Sequence, residues 1–396
     1  MAGATATQPQ ETSSGGLLTG QRRSQTKLEV DKLFRICVKQ QGSDLHLKTG
    51  KPPMIRYKGD IRQLDLPVLN AREMEKLLMP MLTEHQIRIF EKDGGADFAH
   101  VVEMEDGKTR RFRVNMLKQR GDLGLVARLV NDVIPTFDKL FLPPILADVC
   151  MHHQGLIIFA GITGSGKTTS IGSMLNYINS LRRCHILTIE DPIEFVYTDD
   201  KAVINQREVG IDVSTWAIAL KHAMREDPDV MLVGEMRDHE TFEAAVHAAE
   251  TGHLVFGTIH ANTAPSTIGR ILDLFPIAMH NAIRQTLTFN LKAIVAQKLI
   301  KTTPEWQAKG TFRVPINEVL LFNPAVRKAV SEGNDARLVD LIKVSEAEGM
   351  QDFTKALKDR VEADMITREA AFEIAPNPDA LKMALKGIKL PVSGLA

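Results

Sequence analysis

The apolar residues of this chain change their rhythm near residue 130. In residues 28–38 Val30, Leu33, Phe34, Cys37 and Val38 recur at helical spacing. Strand-like runs follow at 44–47, 54–58, 97–102 and 111–117, interrupted by a helical stretch over 71–91. Strands and helices mixed this way predict a small α+β domain over residues 28–130. The proline-containing segment 133–144 reads as a linker or hinge, so 131–145 are taken as the connection. Beyond it, Val, Ile and Leu fill nearly every position of short runs at 156–160, 185–189, 230–233, 254–259 and 293–300. Such runs suit strands buried on both faces of a largely parallel sheet. With helical patterns between them, they predict a doubly wound α/β core over 146–322. Residues 323–396 then turn helical and charged.

Residues 1–27 are rich in Ala, Gly, Ser, Thr and Gln, with one basic pair at Arg22 and Arg23. So little apolar material cannot offset the entropy of ordering, which predicts a disordered tail. At 396 residues the chain has room for two or three domains, and 44% hydrophobic with 25% charged residues is an ordinary globular balance. Lys+Arg and Asp+Glu stand at 49 each, and Trp216 and Trp306 lack basic neighbours at regular spacing. Both facts argue against a nucleic-acid partner. Cys37, Cys150 and Cys184 form neither a disulfide framework nor a zinc motif, which fits a reducing compartment. No run reaches the roughly 20 apolar residues of a bilayer span, and no apolar h-region follows the start. The expectation is a cytoplasmic protein without a transmembrane segment.

Gly161-Ile162-Thr163-Gly164-Ser165-Gly166-Lys167-Thr168 matches G-x-x-x-x-G-K-[ST], after a strand pattern and before a helix pattern that begins near Lys167, with Thr169 the next candidate to bind nucleotide. Glycines let such a loop curl its N–H groups toward phosphate oxygens, and the helix start adds its positive dipole end. Lys167 is expected to pair with the β- and γ-phosphates and the Thr168 hydroxyl to ligate Mg²⁺. The GTPase strings Asp-x-x-Gly and Asn-Lys-x-Asp are absent, which leaves ATP.

Hydrolysis also needs carboxylates. Glu190 and Asp191 stand where an apolar run stops, and paired acids there would repel without a cation, so both are candidate Mg²⁺ ligands. Val230-Met231-Leu232-Val233-Gly234-Glu235 resembles a Walker B strand in which Gly234 replaces the usual Asp. Glu235 is the leading candidate to polarise the attacking water, with Glu190 the alternative. Asp229 and Asp238 read as helix caps or ion-pair partners. His260 ends another buried run, where strand ends face the ligand crevice and a γ-phosphate is within its range; His253 reads as structural.

Together these segments resemble the secretion-superfamily ATPases, above all the PilT-like retraction motors. The phosphate loop, Glu190-Asp191-Pro192, the stretch 224–238 and the histidine box occur in that family's order. Gly42-Ser43-Asp44-Leu45-His46, Arg111-Phe112-Arg113-Val114-Asn115, Ile134-Pro135-Thr136 and Asn205-Gln206-Arg207-Glu208-Val209-Gly210 match as well, so the likeness spans about residues 28–390. It implies a PAS-like domain followed by a RecA-like ATPase domain, assembled as a homo-hexamer. It further implies that Arg111, Arg113 and Arg128 reach the nucleotide and offset charge on the transferred phosphoryl. The implied partners are an inner-membrane pilus platform protein, the pilus machinery and a paralogous motor ATPase, at the cytoplasmic side of the pilus base. Toward the C-terminus, residues 325–332 keep only part of the family's AIRNLIRE helix. A PilU-like accessory motor and a PilB- or GspE-like assembly ATPase therefore remain alternatives, as do a traffic ATPase and a non-catalytic ATP-binding ring component.

Overall fold

A computed structural model describes residues 28–57 and 59–388. The expected tail with Arg22 and Arg23 lies outside the described residues. These divide at Leu129/Val130 into two compact units.

In the first unit, strands β1 (Asp44–Lys48), β2 (Met54–Tyr57), β3 (Asp60–Gln63), β4 (Gly95–Glu103), β5 (Thr109–Gln119) and β6 (Asp122–Leu129) form one antiparallel sheet. Their order is β3-β2-β1-β6-β5-β4. Side chains alternate across a strand, so Phe112, Val114 and Met116 of β5 enter a core with Phe34, Leu45 and Met74. Arg111, Arg113 and Asn115 take the opposite face. The 71–91 stretch is not one helix but two, Ala71–Leu78 and Glu84–Asp93. Pro80 lies in the turn between them, and Thr83 and Gln86 form a capping box that restarts the chain.

The second unit carries a seven-stranded sheet of β7 (Gly155–Ala160), β8 (His185–Glu190), β9 (Val203–Glu208), β10 (Val230–Val233), β11 (Leu254–Ile259), β12 (Leu291–Lys301) and β13 (Arg313–Leu321). The order is β13-β12-β7-β11-β10-β8-β9, parallel throughout except for the antiparallel β12–β13 pair at one edge. Every residue of β7, β10 and β11 is buried, as uniformly apolar runs require. Leu156, Ile158 and Val255 face one apolar layer, whereas Ile157, Phe159 and Phe256 face the other. The first layer also takes Val326, Leu338 and Phe353 from the C-terminal helices, so those helices share the core. Burying one such side chain is worth about 1.5–3 kcal/mol.

The stretch expected to be a hinge is largely attached to this second unit. Leu142 is buried, and the Phe137 ring lies 5.0 Å from that of Tyr177. The Asn131 carbonyl accepts the Val196 N–H at 3.1 Å, in a short parallel bridge to Phe195. On the other side of the boundary, the Leu129 N–H still donates to the Ser43 carbonyl at 2.9 Å. No helix among the described residues is long and apolar enough to cross a membrane.

Candidate active site

The ends of β7, β8, β10 and β11 surround a cavity of about 270 Å³. Parallel strands gather their C-terminal ends at one edge of the sheet, where ligands of such folds bind. The loop leaving β7 begins at Gly161, with φ 153°. A Cβ there would lie 2.5 Å from the Gln297 carbonyl and 2.6 Å from Ser165 Oγ, so only glycine permits the approach. The loop ends at Gly166, the N-cap of helix Lys167–Leu181, and no side chain caps that helix. Its first-turn N–H groups, those of Lys167, Thr168 and Thr169, are therefore available to an anion. Lys167 is nearly buried and donates to the Gly161 and Ile162 carbonyls at 2.7 and 3.1 Å. Burial pushes its pKa down, while Glu235 and Glu194 work in the opposite direction. Thr163, Gly164, Lys167 and Thr168 line the cavity.

Opposite the loop, Glu235 is gripped at both oxygens. Arg237 Nη2 donates to Oε2 at 2.6 Å, and His260 Nε2 lies 2.9 Å from Oε1. The Arg237 bond is the main reason the Glu235 carboxyl is held below its ordinary range, so the group is ionised at neutral pH. His260 Nδ1 also lies 3.2 Å from the Gly161 carbonyl. Both ring nitrogens thus face oxygen atoms. Gly161, His260, Glu235 and Arg237 form one continuous chain of contacts from phosphate loop to carboxylate.

Glu190 differs. Only 4% exposed, it accepts from the Thr188 hydroxyl at 2.7 Å and from Gln206 Nε2 at 3.3 Å. Burial raises its carboxyl to about 7, which disfavours the charged form that a metal ligand or a base needs. Asp191 is exposed at the cavity rim. The carboxylate bonded to the Thr168 hydroxyl is that of Glu194, whose pKa burial raises although much of the residue is exposed. Sequence reading assigned no role to Glu194, because its contact depends on how the segment after β8 folds back. Gln297 and Arg237 were missed too. Fully buried on β12, Gln297 donates to the Ser165 carbonyl at 2.8 Å and accepts from Ser170 Oγ and from Asn317 Nδ2. Its one available signal was a lone amide inside an apolar run, which must find partners when buried.

Gly234 occupies the place of the usual Walker B Asp for a steric reason. A Cβ at this position would lie 3.1 Å from the Ile189 carbonyl and 3.3 Å from the Trp216 ring. Asp238 caps helix His239–Glu250 through the Thr241 N–H, whereas Asp229 accepts from the His185 N–H rather than serving a helix. His253 bonds the Ala248 carbonyl and Thr251, a local turn contact.

Arg111, Arg113 and Arg128 belong to the first unit, and the residues lining the cavity all belong to the second. On the sheet face away from the core, Arg56, Asp44, Arg128 and Arg113 stand directly opposite one another on β2, β1, β6 and β5. Nearly buried, Asp44 accepts from Arg128 Nε at 2.9 Å and from Ser43 Oγ at 2.7 Å. Burial opposes ionisation of Asp44, but these two bonds win and hold its carboxyl below the usual range. The Arg128 side chain remains 75% exposed beyond that bond.

A family model described as "Type II/IV secretion system protein" matches residues 23–372. The Pseudomonas aeruginosa protein named "Type IV pilus retractation ATPase PilT" is 39% identical over 352 residues, covering 89% of this chain and 99% of that protein. The "Type IV pilus ATPase PilU" of the same organism is 37% identical over 359 residues, covering 91% and 92%. Among solved structures, that of the pilus retraction motor PilT with bound ADP superposes with a TM-score of 0.81 at 40% identity. It covers 90% of this chain and 99% of its own.

Proposed function

The chain belongs to the type II/IV secretion system protein family as a PilT-like type IV pilus retraction ATPase, and on that premise we propose that its second unit hydrolyses ATP to power pilus disassembly and twitching motility. The observation that carries the chemistry is Glu235, ionised and fixed between Arg237 and His260 across from the phosphate loop. The first-turn amides of helix Lys167–Leu181 and the Lys167 ammonium take the phosphates. A carboxylate so stabilised is a weak base, so Glu235 orients the attacking water rather than removing its proton early. Phosphoryl transfer through a loose transition state asks for little more. His260, bonded to the loop and to Glu235, holds these two parts in register and senses the γ-phosphate.

Mg²⁺ fits the donor set, since a hydroxyl and carboxylates are hard oxygen ligands. Thr168 would hold it, with Glu194 beside that hydroxyl and Asp191 at the rim, while Glu190, bonded to Thr188 and Gln206, braces the strand end. Bound there, the ion would neutralise charge developing on the phosphates. The first unit is a PAS-like domain and the second a RecA-like one, and the functional assembly is a homo-hexamer. In that ring Arg111, Arg113 and Arg128 serve a neighbouring subunit's nucleotide; Asp44 takes the Nε side of Arg128 and leaves its outer edge for phosphate. The ring works at the inner membrane's cytoplasmic face on a pilus platform protein.

Near-equal identity to PilU favours a second reading, an accessory motor acting beside a paralogue. Glu235→Gln separates turnover from binding: purified protein should retain ATP binding and lose at least about 10²-fold in kcat. A strain carrying only this allele should be hyperpiliated and unable to twitch. Wild-type turnover would sink the assignment of Glu235. Normal twitching together with lost turnover would favour the accessory reading, and loss of pili an assembly motor.

A further inference from the structure

The antiparallel edge strand β13 sends one carboxylate into the interior. Glu318 is 7% exposed, accepts the Ala264 N–H at 2.6 Å, and also accepts the Phe353 N–H. Ala264 and Phe353 are the first residues of two separate helices, Ala264–Leu272 and Phe353–Glu362. Each helix already has its own cap: Thr263 takes the Ser266 N–H and Asp352 takes the Lys355 N–H. Caps of that kind leave the first N–H of the helix without a partner. Glu318 collects both leftover donors, and its carboxyl lies at two positive helix ends at once.

Two charged groups face it. Lys298, on the neighbouring β12, donates to the Ile374 carbonyl and lies 4.6 Å from the centre of the Phe353 ring; Asp352 precedes the second helix. Burial raises the Glu318 carboxyl to about 7, with Asp352 adding to the rise and Lys298 opposing it. A group so costly to bury is an expensive way to join two helices unless the junction itself matters.

The first helix starts four residues after His260. Only Ala261, Asn262 and Thr263 separate the bond at Ala264 from the ring that touches both Gly161 and Glu235. The loop is thus held at one end by β11 and at the other by Glu318. We propose that Glu318 is a positioning residue for the hydrolytic site: it fixes the loop that carries His260 and, through Phe353, makes that fixation depend on the C-terminal helix Phe353–Glu362. The proposal rests on the reading of His260 given above. It gives the C-terminal helices a means of modulating turnover without touching nucleotide.

A double-mutant cycle on the full chain tests it, with Glu318→Gln, His260→Ala and the pair, each measured for kcat, KM for ATP and melting temperature. Glutamine keeps the shape and one acceptor oxygen but loses the charge and the second acceptor. The expected result for Glu318→Gln is a loss of about tenfold in kcat, short of the 10²-fold that a 1 Å misplacement costs, with KM within about twofold. In the His260→Ala background the same substitution should change kcat by less than about twofold, because coupled residues are not additive. A repeated tenfold loss in that background overturns the proposal, as does unchanged kcat in the single variant or a loss carried by KM. Unchanged kcat in His260→Ala alone would instead remove the role of His260. Should Glu318→Gln not fold, Ala264→Pro serves in its place. It deletes the N–H that Glu318 accepts, proline is tolerated at a first helical position, and Thr263 is already extended. The same two kinetic outcomes then decide.

Discussion

A carboxyl stripped of water on folding keeps its proton to higher pH than it does in the unfolded chain. For Glu318 the shift runs from 4.5 to about 7. Between those values the native state holds a proton that the unfolded state has released, so this residue's contribution to stability falls as pH rises through the window. Lys298 and Asp352, which face it, are present in wild type and variant alike. The melting temperature of Glu318→Gln minus that of wild type should therefore grow more positive from about pH 5 to pH 8. A flat difference would mean that the carboxyl titrates normally. At this scale, legibility followed locality. Lys167, Thr168, Glu235 and His260 are set by short contiguous motifs and stand around one cavity. Glu194, Gln297 and Glu318 are defined by partners as far as 132 residues away, a separation that no local pattern encodes.

Strand β10 shows how an element limits which side chains its end can carry. Four buried residues run straight into Gly234, whose α-carbon faces the Ile189 carbonyl and the Trp216 ring. Gly234→Ala should cost about 1–3 kcal/mol through overpacking and lower the melting temperature by several degrees. Trp216→Leu in the same chain should recover part of that loss, as measured by thermal unfolding. No recovery would place the strain against the backbone carbonyl instead. The departure from Asp was visible in the sequence, but its cause was not, because Trp216 approaches from another helix. Element prediction worked best where burial was complete. The apolar runs of β7, β8, β10 and β11 were read directly, whereas β3, with all four residues exposed, and the polar edge strand β9 carried no clear signal. The break at Pro80 was passed over because the apolar spacing continues on both sides.

For the whole molecule, the proposed division of the site between neighbouring subunits has a direct test. Glu235→Gln and Arg113→Ala should each be inactive alone. Mixed in equal amounts they should regain activity, with about one quarter of the sites intact in randomly assembled rings. No recovery would mean that both residues serve one subunit's own nucleotide. The two-unit organisation was legible from the change in apolar rhythm near residue 130. The character of the connection was not, since proline content marks a segment as non-helical without saying whether it packs. Leu129 is still bonded into the first sheet and Asn131 is already bonded beside Phe195, one residue from Glu194. Only Val130 lies between. A single residue supplies two soft torsions, where a loose tether over 131–145 would supply about thirty. Local pairing therefore holds the backbone on both sides of this boundary within three residues.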